Sequence, residues 1–297
     1  MSSTKNVNSG VFLCLLALLA ACAGSSEIWG DPESGLILEY RLPAETKLSY
    51  DVSSQSTENV EVMGQSMQVK TASAMLFTAV SKAATQKVHD LSVTIDSSMV
   101  SIMSPRGELK GDTKDVVGKT FGMQLSAIGK EMNLTGTEEI QYGLGPAGKR
   151  SATTTFSALF PDMAGKAVKV GEVWPTRDTI RESGGGMEVL ITLDGQSTFD
   201  GLAPMMGYEC ARIVSTYQGK VHGQGKQGPM ELVTDGTMKG TDTTYFAYKE
   251  GFLVLSMTRA SVEAVTEGTG PQNLTIPSTR ESTIDVRLLK GPAPLGK

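Results

Sequence analysis

The sequence predicts a mainly β protein whose strands pair antiparallel and whose helices are few and short. Three observations carry this. Apolar residues recur at every second position in run after run, Ser, Thr and Val dominate those runs, and turn-forming residues separate them. Apolar residues make up 39% of the 297-residue chain and glycine is abundant, an ordinary balance for a globular domain.

Met1 to Gly10 is polar with one cation, Lys5, and an uncharged apolar run follows from Val11 to Ala21. At roughly 11 residues the run is shorter than the ~20 a membrane-spanning helix needs, so it reads as a signal-peptide core. It ends in Leu19-Ala20-Ala21-Cys22, which resembles the lipobox of bacterial lipoproteins. That resemblance implies recognition of Leu19, Ala20 and Ala21 by signal peptidase II, cleavage before Cys22 and a diacylglycerol, with acyl chains such as palmitate, on its thiol. Ala23 and Gly24 follow the cysteine rather than Asp. By the same resemblance, this implies an outer-membrane lipoprotein facing the periplasm, its membrane partner reached through the lipid on Cys22.

Loss of residues 1–21 removes one Lys and no acid, leaving 26 basic against 32 acidic groups, a net charge of −6. No Lys/Arg cluster is present, which argues against nucleic acid as a partner. Cys14 leaves with the signal and Cys22 is expected to carry lipid, so no internal disulfide can form; Cys210, in an apolar strand-like stretch, reads as a buried small hydrophobe.

Residues 22–35 are small, polar and broken by Gly and Pro, as a tether from a lipid would be; Ala23 to Gly35 could reach about 45 Å at most. Ile28 and Trp29 interrupt it, either as an interfacial anchor or as a dock on the folded body. Residues 36–290 form the β domain and 291–297 a tail. Strands are expected through Leu36, Leu38 and Tyr40, through Leu91, Val93 and Ile95, through Val189, Ile191 and Leu193, and through Ile284, Val286 and Leu288. The clearest hairpin joins Thr243–Lys249 to Phe252–Arg259 through Glu250-Gly251, the glycine supplying the left-handed conformation. Helical spacing is limited to Phe156, Leu159 and Phe160, behind Ser/Thr caps and before Pro161. Phe121, Leu125, Ile128 and Met132 fit a helix, while Phe121, Met123 and Leu125 fit a strand equally well. A division into two halves near 143–155 is compatible with the pattern, as is one continuous sheet.

The order of features from the strand at Tyr50, through Gly118-Lys119 and Val170-Gly171-Glu172-Val173-Trp174, to Tyr248-Lys249-Glu250-Gly251 resembles a family of uncharacterised bacterial lipoproteins related to the LolA-like fold. The resemblance implies a large curved antiparallel sheet, a half-barrel around short helices, with an apolar cavity that in some members holds acyl chains. It supplies no catalytic residues.

Candidate chemistry is sparse. Gly143 to Lys149 reads G-L-G-P-A-G-K, but Arg150 stands where a phosphate loop needs Ser or Thr, and the preceding T-E-E-I-Q-Y-G is too polar for a buried strand; nucleotide is not expected. His89 precedes Asp90 at a strand start and reads as exposed. His222 lies in G-K-V-H-G-Q-G-K-Q-G, read as a flexible exposed stretch. Neither is placed beside a nucleophile, and no set of ligands has zinc spacing. Glu138-Glu139 reads as solvated surface. Fifteen methionines, including Met63, Met67, Met99, Met103, Met205 and Met206, are ordinary core filling, the lining of an adaptable cavity, or thioether ligands for a soft metal. No cofactor, metal or catalytic residue is expected. The leading expectation is non-enzymatic binding of a hydrophobic ligand or lipid; the alternative is a structural or protein-interaction module of the envelope.

Overall fold

The computed structural model describes residues 29–85, 87–145, 148–184, 186–271 and 273–295. Leu19, Ala20, Ala21 and Cys22, and with them the signal-peptide and lipidation readings, lie outside the described residues.

The strands are β1 (Gly30–Asp31), β2 (Gly35–Ile37), β3 (Lys47–Val62), β4 (Gln65–Ala84), β5 (Val88–Ser104), β6 (Gly107–Lys110), β7 (Thr120–Ser126), β8 (Glu131–Thr135) and β9 (Gln141–Gly143) in the first part of the chain. They continue with β10 (Lys149–Ser151), β11 (Ala167–Val168), β12 (Val173–Gly184), β13 (Met187–Met205), β14 (Tyr208–Gln227), β15 (Met230–Ala247), β16 (Phe252–Thr269) and β17 (Leu274–Lys290). Among the described residues one antiparallel sheet holds twelve of them, in the order β12-β13-β14-β15-β16-β17-β3-β4-β5-β7-β8, with β6 on β5. Its ends, β12 and β8, are not hydrogen-bonded to each other as strands, so the sheet is not closed. The last long strand pairs with the first, Val286 opposite Val52 and Thr279 opposite Asn59, which joins strands from both parts of the chain in one ladder.

The hairpins follow from turn chemistry. Gly251 closes the β15–β16 turn at φ 79°, where a Cβ would also meet the Arg41 backbone; only glycine satisfies both demands. The strands are longer than alternation alone indicates. The G-K-V-H-G-Q-G-K-Q stretch, read as flexible, is the second half of β14. Glycine there marks positions where neighbouring backbone comes too close for a side chain, as at Gly219 beneath the Thr192 carbonyl.

One face of the sheet carries the core. Tyr50, Phe77, Val93, Ile95, Leu125, Phe199, Phe246 and Phe252 are fully or almost fully buried, in one cluster with residues of two segments outside the twelve-stranded sheet. The first is the chain from Leu36 to Leu42. The expected strand here is paired only at Gly35–Ile37, and Leu38 and Tyr40 are buried without belonging to a ladder. The second runs from Ala152 to Met163. The helix expected behind the Ser/Thr run is a single 3-10 turn, Thr154–Ser157, whose Thr153 cap makes no side-chain capping bond. Few residues separate the cap from Pro161, too few to offset helix nucleation, and ring packing decides the conformation instead. Phe156 meets Phe77 and Phe121 edge-on with centroids 4.9 Å apart in both pairs. Phe160 meets Tyr40 at 5.9 Å and Tyr50 at 6.0 Å. Such pairs add about 0.5–1.5 kcal/mol each beyond their burial. The ambiguous stretch around Phe121 is a strand, β7, with Phe121, Met123 and Leu125 all inward.

Candidate functional site: a cavity on the inner face

The core fills one end of the long strands. Farther along them, residues on the same face are half-buried and line a cavity of about 610 Å³, inside the usual range for small-molecule sites. Its lining comes from β3, β4, β5 and β12 to β17 together, with Ser157 to Asp162 contributing Leu159 and Phe160. The registers set successive rows across this wall. Val286, Val52 and Met75 stand opposite one another next to the core. One step along comes a polar row in which Ser197, Ser215, Asp242 and Thr258 are aligned. Beyond it Tyr217 lies opposite Gly195 and Gly240, and then Leu193, Met238 and Arg280 reach the lining.

Part of this polar wall's hydrogen-bonding capacity is spent within the protein. Ser197 and Ser215 bond each other at 2.7 Å. Asp242 accepts hydroxyls from Ser256 at 2.6 Å, Thr258 at 2.9 Å and Thr244 at 2.6 Å. Satisfied this way, a hydroxyl presents mostly its carbon framework to the cavity. Tyr217 is half-buried, and burial, then the nearby Asp242 charge, pushes its phenol up to about 12.

A second group sits where the two ends of the sheet approach. Lys130, just before β8, places Nζ 2.6 Å from Asp162 and 3.8 Å from Asp178 of β12, and donates to the Arg177 carbonyl at 2.9 Å. Glu131, the first residue of β8, accepts the backbone N–H groups of Leu159 and Phe160, both at 2.7 Å. Burial raises its carboxyl from the ordinary 4.5 to about 8, against the opposing pull of those N–H donors, and repulsion from Asp178 adds to the rise. Asp162 is also raised, by burial first, with Lys130 pulling it back. Neither Lys130 nor Glu131 is marked by the sequence: each is an isolated charge in a polar stretch, and the partners lie about thirty to fifty positions away.

Cys210 is fully buried and reduced, and burial, followed by Glu250, pushes its thiol up to about 12. His89 corrects the expectation of exposure. It is 4% exposed, with Nε2 2.8 Å from the Tyr40 carbonyl, because the strand it begins is overlain by the inner segment. His222 is exposed as expected and bonds Asp235 at 2.8 Å. Glu138 and Glu139 are exposed in a turn. The glycine-rich loop before Lys149 leads into β10 rather than a helix, which a phosphate loop requires. Trp29 packs against the core. Of the methionines, Met75, Met99 and Met238 line the cavity, Met99 from an exposed position, and Met63, Met103 and Met206 are exposed. The motif residues are structural: Tyr50 donates to the Leu253 carbonyl at 2.9 Å, Gly171 to that of Phe199 at 2.7 Å, and Trp174 is buried. Among the described residues no three His, Cys, Asp or Glu side chains are grouped to hold a metal ion, and no helix is long and apolar enough to cross a membrane.

No family model matches the sequence, and no curated protein matches it. Among solved structures the chain is similar to Pseudomonas aeruginosa OccK2 (OpdF), with 6% identity over 82% of this chain and 98% of that one and a TM-score of 0.22. It is similar to an outer membrane channel from Pseudomonas putida F1, at 10% identity, 84% and 97% coverage and a TM-score of 0.23. A third likeness is to the β domain of the Bordetella autotransporter BrkA, at 10% identity, 82% and 100% coverage and a TM-score of 0.23. Scores this low leave topology and function to the residues of this chain.

Proposed function

We propose that the protein is a lipid-anchored component of the bacterial envelope, held on the outer membrane through Cys22, whose bent half-barrel sheet binds a hydrophobic molecule or lipid without catalysing a reaction. The observation that carries this reading is the cavity of about 610 Å³ on the inner face of the sheet. Val52, Val286, Met75, Leu159, Phe160 and Met238 give it an apolar lining, and Ser197, Ser215, Ser256 and Thr258 beside them are bonded within the protein. An apolar guest on this lining gains burial, worth about 25 cal/mol per Å² removed from water. Strands from β12 round to β5 contribute to the same lining, which supports a bend, and the methionines among them suit guests of variable shape.

The test is native mass spectrometry of the full chain purified from bacterial envelope. Co-purifying lipid, displaced when Ser282 on the cavity wall is replaced by Trp, is the expected result. Protein that carries no lipid and takes up none after delipidation and lipid addition would overturn the reading.

A further inference from the structure

Resting on that reading, we infer that the guest is an acidic amphiphile: a long apolar chain ending in an oxyanion, carboxylate or phosphate, that pairs with Arg280, with Arg150 as the second cation of the wall. Six charged side chains reach the lining, namely Arg150, Asp162, Arg177, Asp178, Asp242 and Arg280. Four are answered within the protein. Asp162 and Asp178 share Lys130, Arg177 pairs with Asp194 at 2.9 Å, and Asp242 is held by three hydroxyls. The two that remain are both guanidinium groups. Among the described residues neither Arg150 nor Arg280 has an ion pair, and the buried Nε of Arg280 donates to no acceptor. Glu58 is its cross-strand neighbour on β3 yet forms no ion pair with it.

A buried guanidinium N–H without an acceptor is costly. Its planar fork matches the two oxygens of a carboxylate or phosphate. The spacing also fits an amphiphile. Val286, beside the apolar floor, and Arg280 are six residues apart on β17, about 20 Å at strand rise. A chain filling one leaflet, half of a hydrocarbon core of about 30 Å, spans roughly 15 Å. An acyl tail on Phe160 and Val286 thus covers about three-quarters of that span, and the acid group with the long arginine side chain bridges the remaining ~5 Å.

The experiment is native mass spectrometry of the full chain released from non-ionic detergent, titrated with oleate, oleyl phosphate, oleyl alcohol and inorganic phosphate. Oleate and oleyl phosphate should half-saturate the protein at concentrations at least tenfold below oleyl alcohol, and inorganic phosphate should bind more weakly than either. Arg280→Met should reduce the preference for the acids over the alcohol severalfold, and the Arg150→Met/Arg280→Met double variant should abolish it. Retained alcohol binding shows that the variants keep a folded cavity. Equal binding of oleate and the alcohol, or a preference unchanged in the double variant, would overturn the inference while leaving the cavity reading intact. Phosphate binding as tightly as oleate would also overturn it, as a site for free anions. Binding of none of the four would remove the cavity reading itself.

Discussion

The ring of Tyr217 lies directly over Gly240 on the adjacent strand, and a Cβ on that glycine would overlap the phenol carbon and oxygen. The pairing lets an aromatic side chain lie flat in a wall where two strands meet closely, and it shapes the cavity at this level. Gly240→Ala must move Tyr217 or the Arg259 carbonyl, also in contact. The expected loss is about 1–3 kcal/mol, read as a lower urea midpoint. Gly240→Ala with Tyr217→Ala should recover part of it, because the overlapping ring is gone.

Glu131 makes stability depend on pH in a definite direction. Its carboxyl is raised from 4.5 to about 8 in the folded chain, so the folded state holds a proton that the unfolded state releases near 4.5. The stabilisation is complete below pH 4.5 and is lost as pH rises through about 8. A tenfold difference in proton affinity is about 1.4 kcal/mol, which puts a ceiling of roughly 5 kcal/mol on the effect. Glu131→Gln keeps the acceptor oxygen for Leu159 and Phe160 and has no charge to bury. The variant should lose less Tm than the parent between pH 5 and pH 9; equal losses would show that the carboxyl is not buried as described.

Cys210 should be inert while the chain is folded. Its thiol is fully buried and held up to about 12, so thiolate is scarce and reagent has no path to it. Iodoacetamide should leave Cys210 unmodified at neutral pH in buffer and alkylate it in concentrated urea, as peptide mass spectrometry will report. Rapid labelling of the folded chain would contradict the packing around Phe252 and Tyr208.

The anchor is tested by chemistry at one atom. Cells given radiolabelled palmitate should incorporate it into the protein, and Cys22→Ser should abolish the incorporation while Cys210→Ser does not. Label persisting in Cys22→Ser would refute lipidation at that thiol.

Filling the cavity should separate binding from stability. Ser282 faces it from β17 and is half-buried. Ser282→Trp should displace a bound amphiphile with little change in Tm, since the ring enters empty space rather than a packed core. A large loss of Tm with unaltered ligand uptake would place Ser282 elsewhere.

The sheet was legible where one face is apolar and the other polar. Leu91, Val93 and Ile95, and Val286 and Leu288, announce their strands because the core end of each buries every second residue. Beyond the core the same strands carry Ser, Thr and Gly on the inner face, as at Ser54, Ser73, Ser215 and Gly240, so alternation in hydropathy fades although the ladder continues. That is why the second half of β14 reads as flexible. The inner segment misleads for the opposite reason: Leu36, Leu38 and Tyr40 alternate like a strand, yet their burial comes from lying against the sheet rather than within it. The cavity was foreseeable only as a class of lining, through the methionines. Its charges were not, because Lys130, Asp162 and Asp178, like Arg280 and Arg150, become neighbours of one space through long-range pairing alone.

The contact of Lys130 with Asp162 and Asp178 also has a mechanical meaning. Between any two long neighbouring strands, separation would break a cooperative run of backbone bonds, twelve paired positions even between β12 and β13. Between the β8 and β12 ends of the sheet, the connection includes a half-exposed ammonium group, two carboxylates and one carbonyl. Such ion pairs are individually weak and screened by salt. The wall thus has a seam that ionic strength can loosen while the fabric on either side keeps its weave.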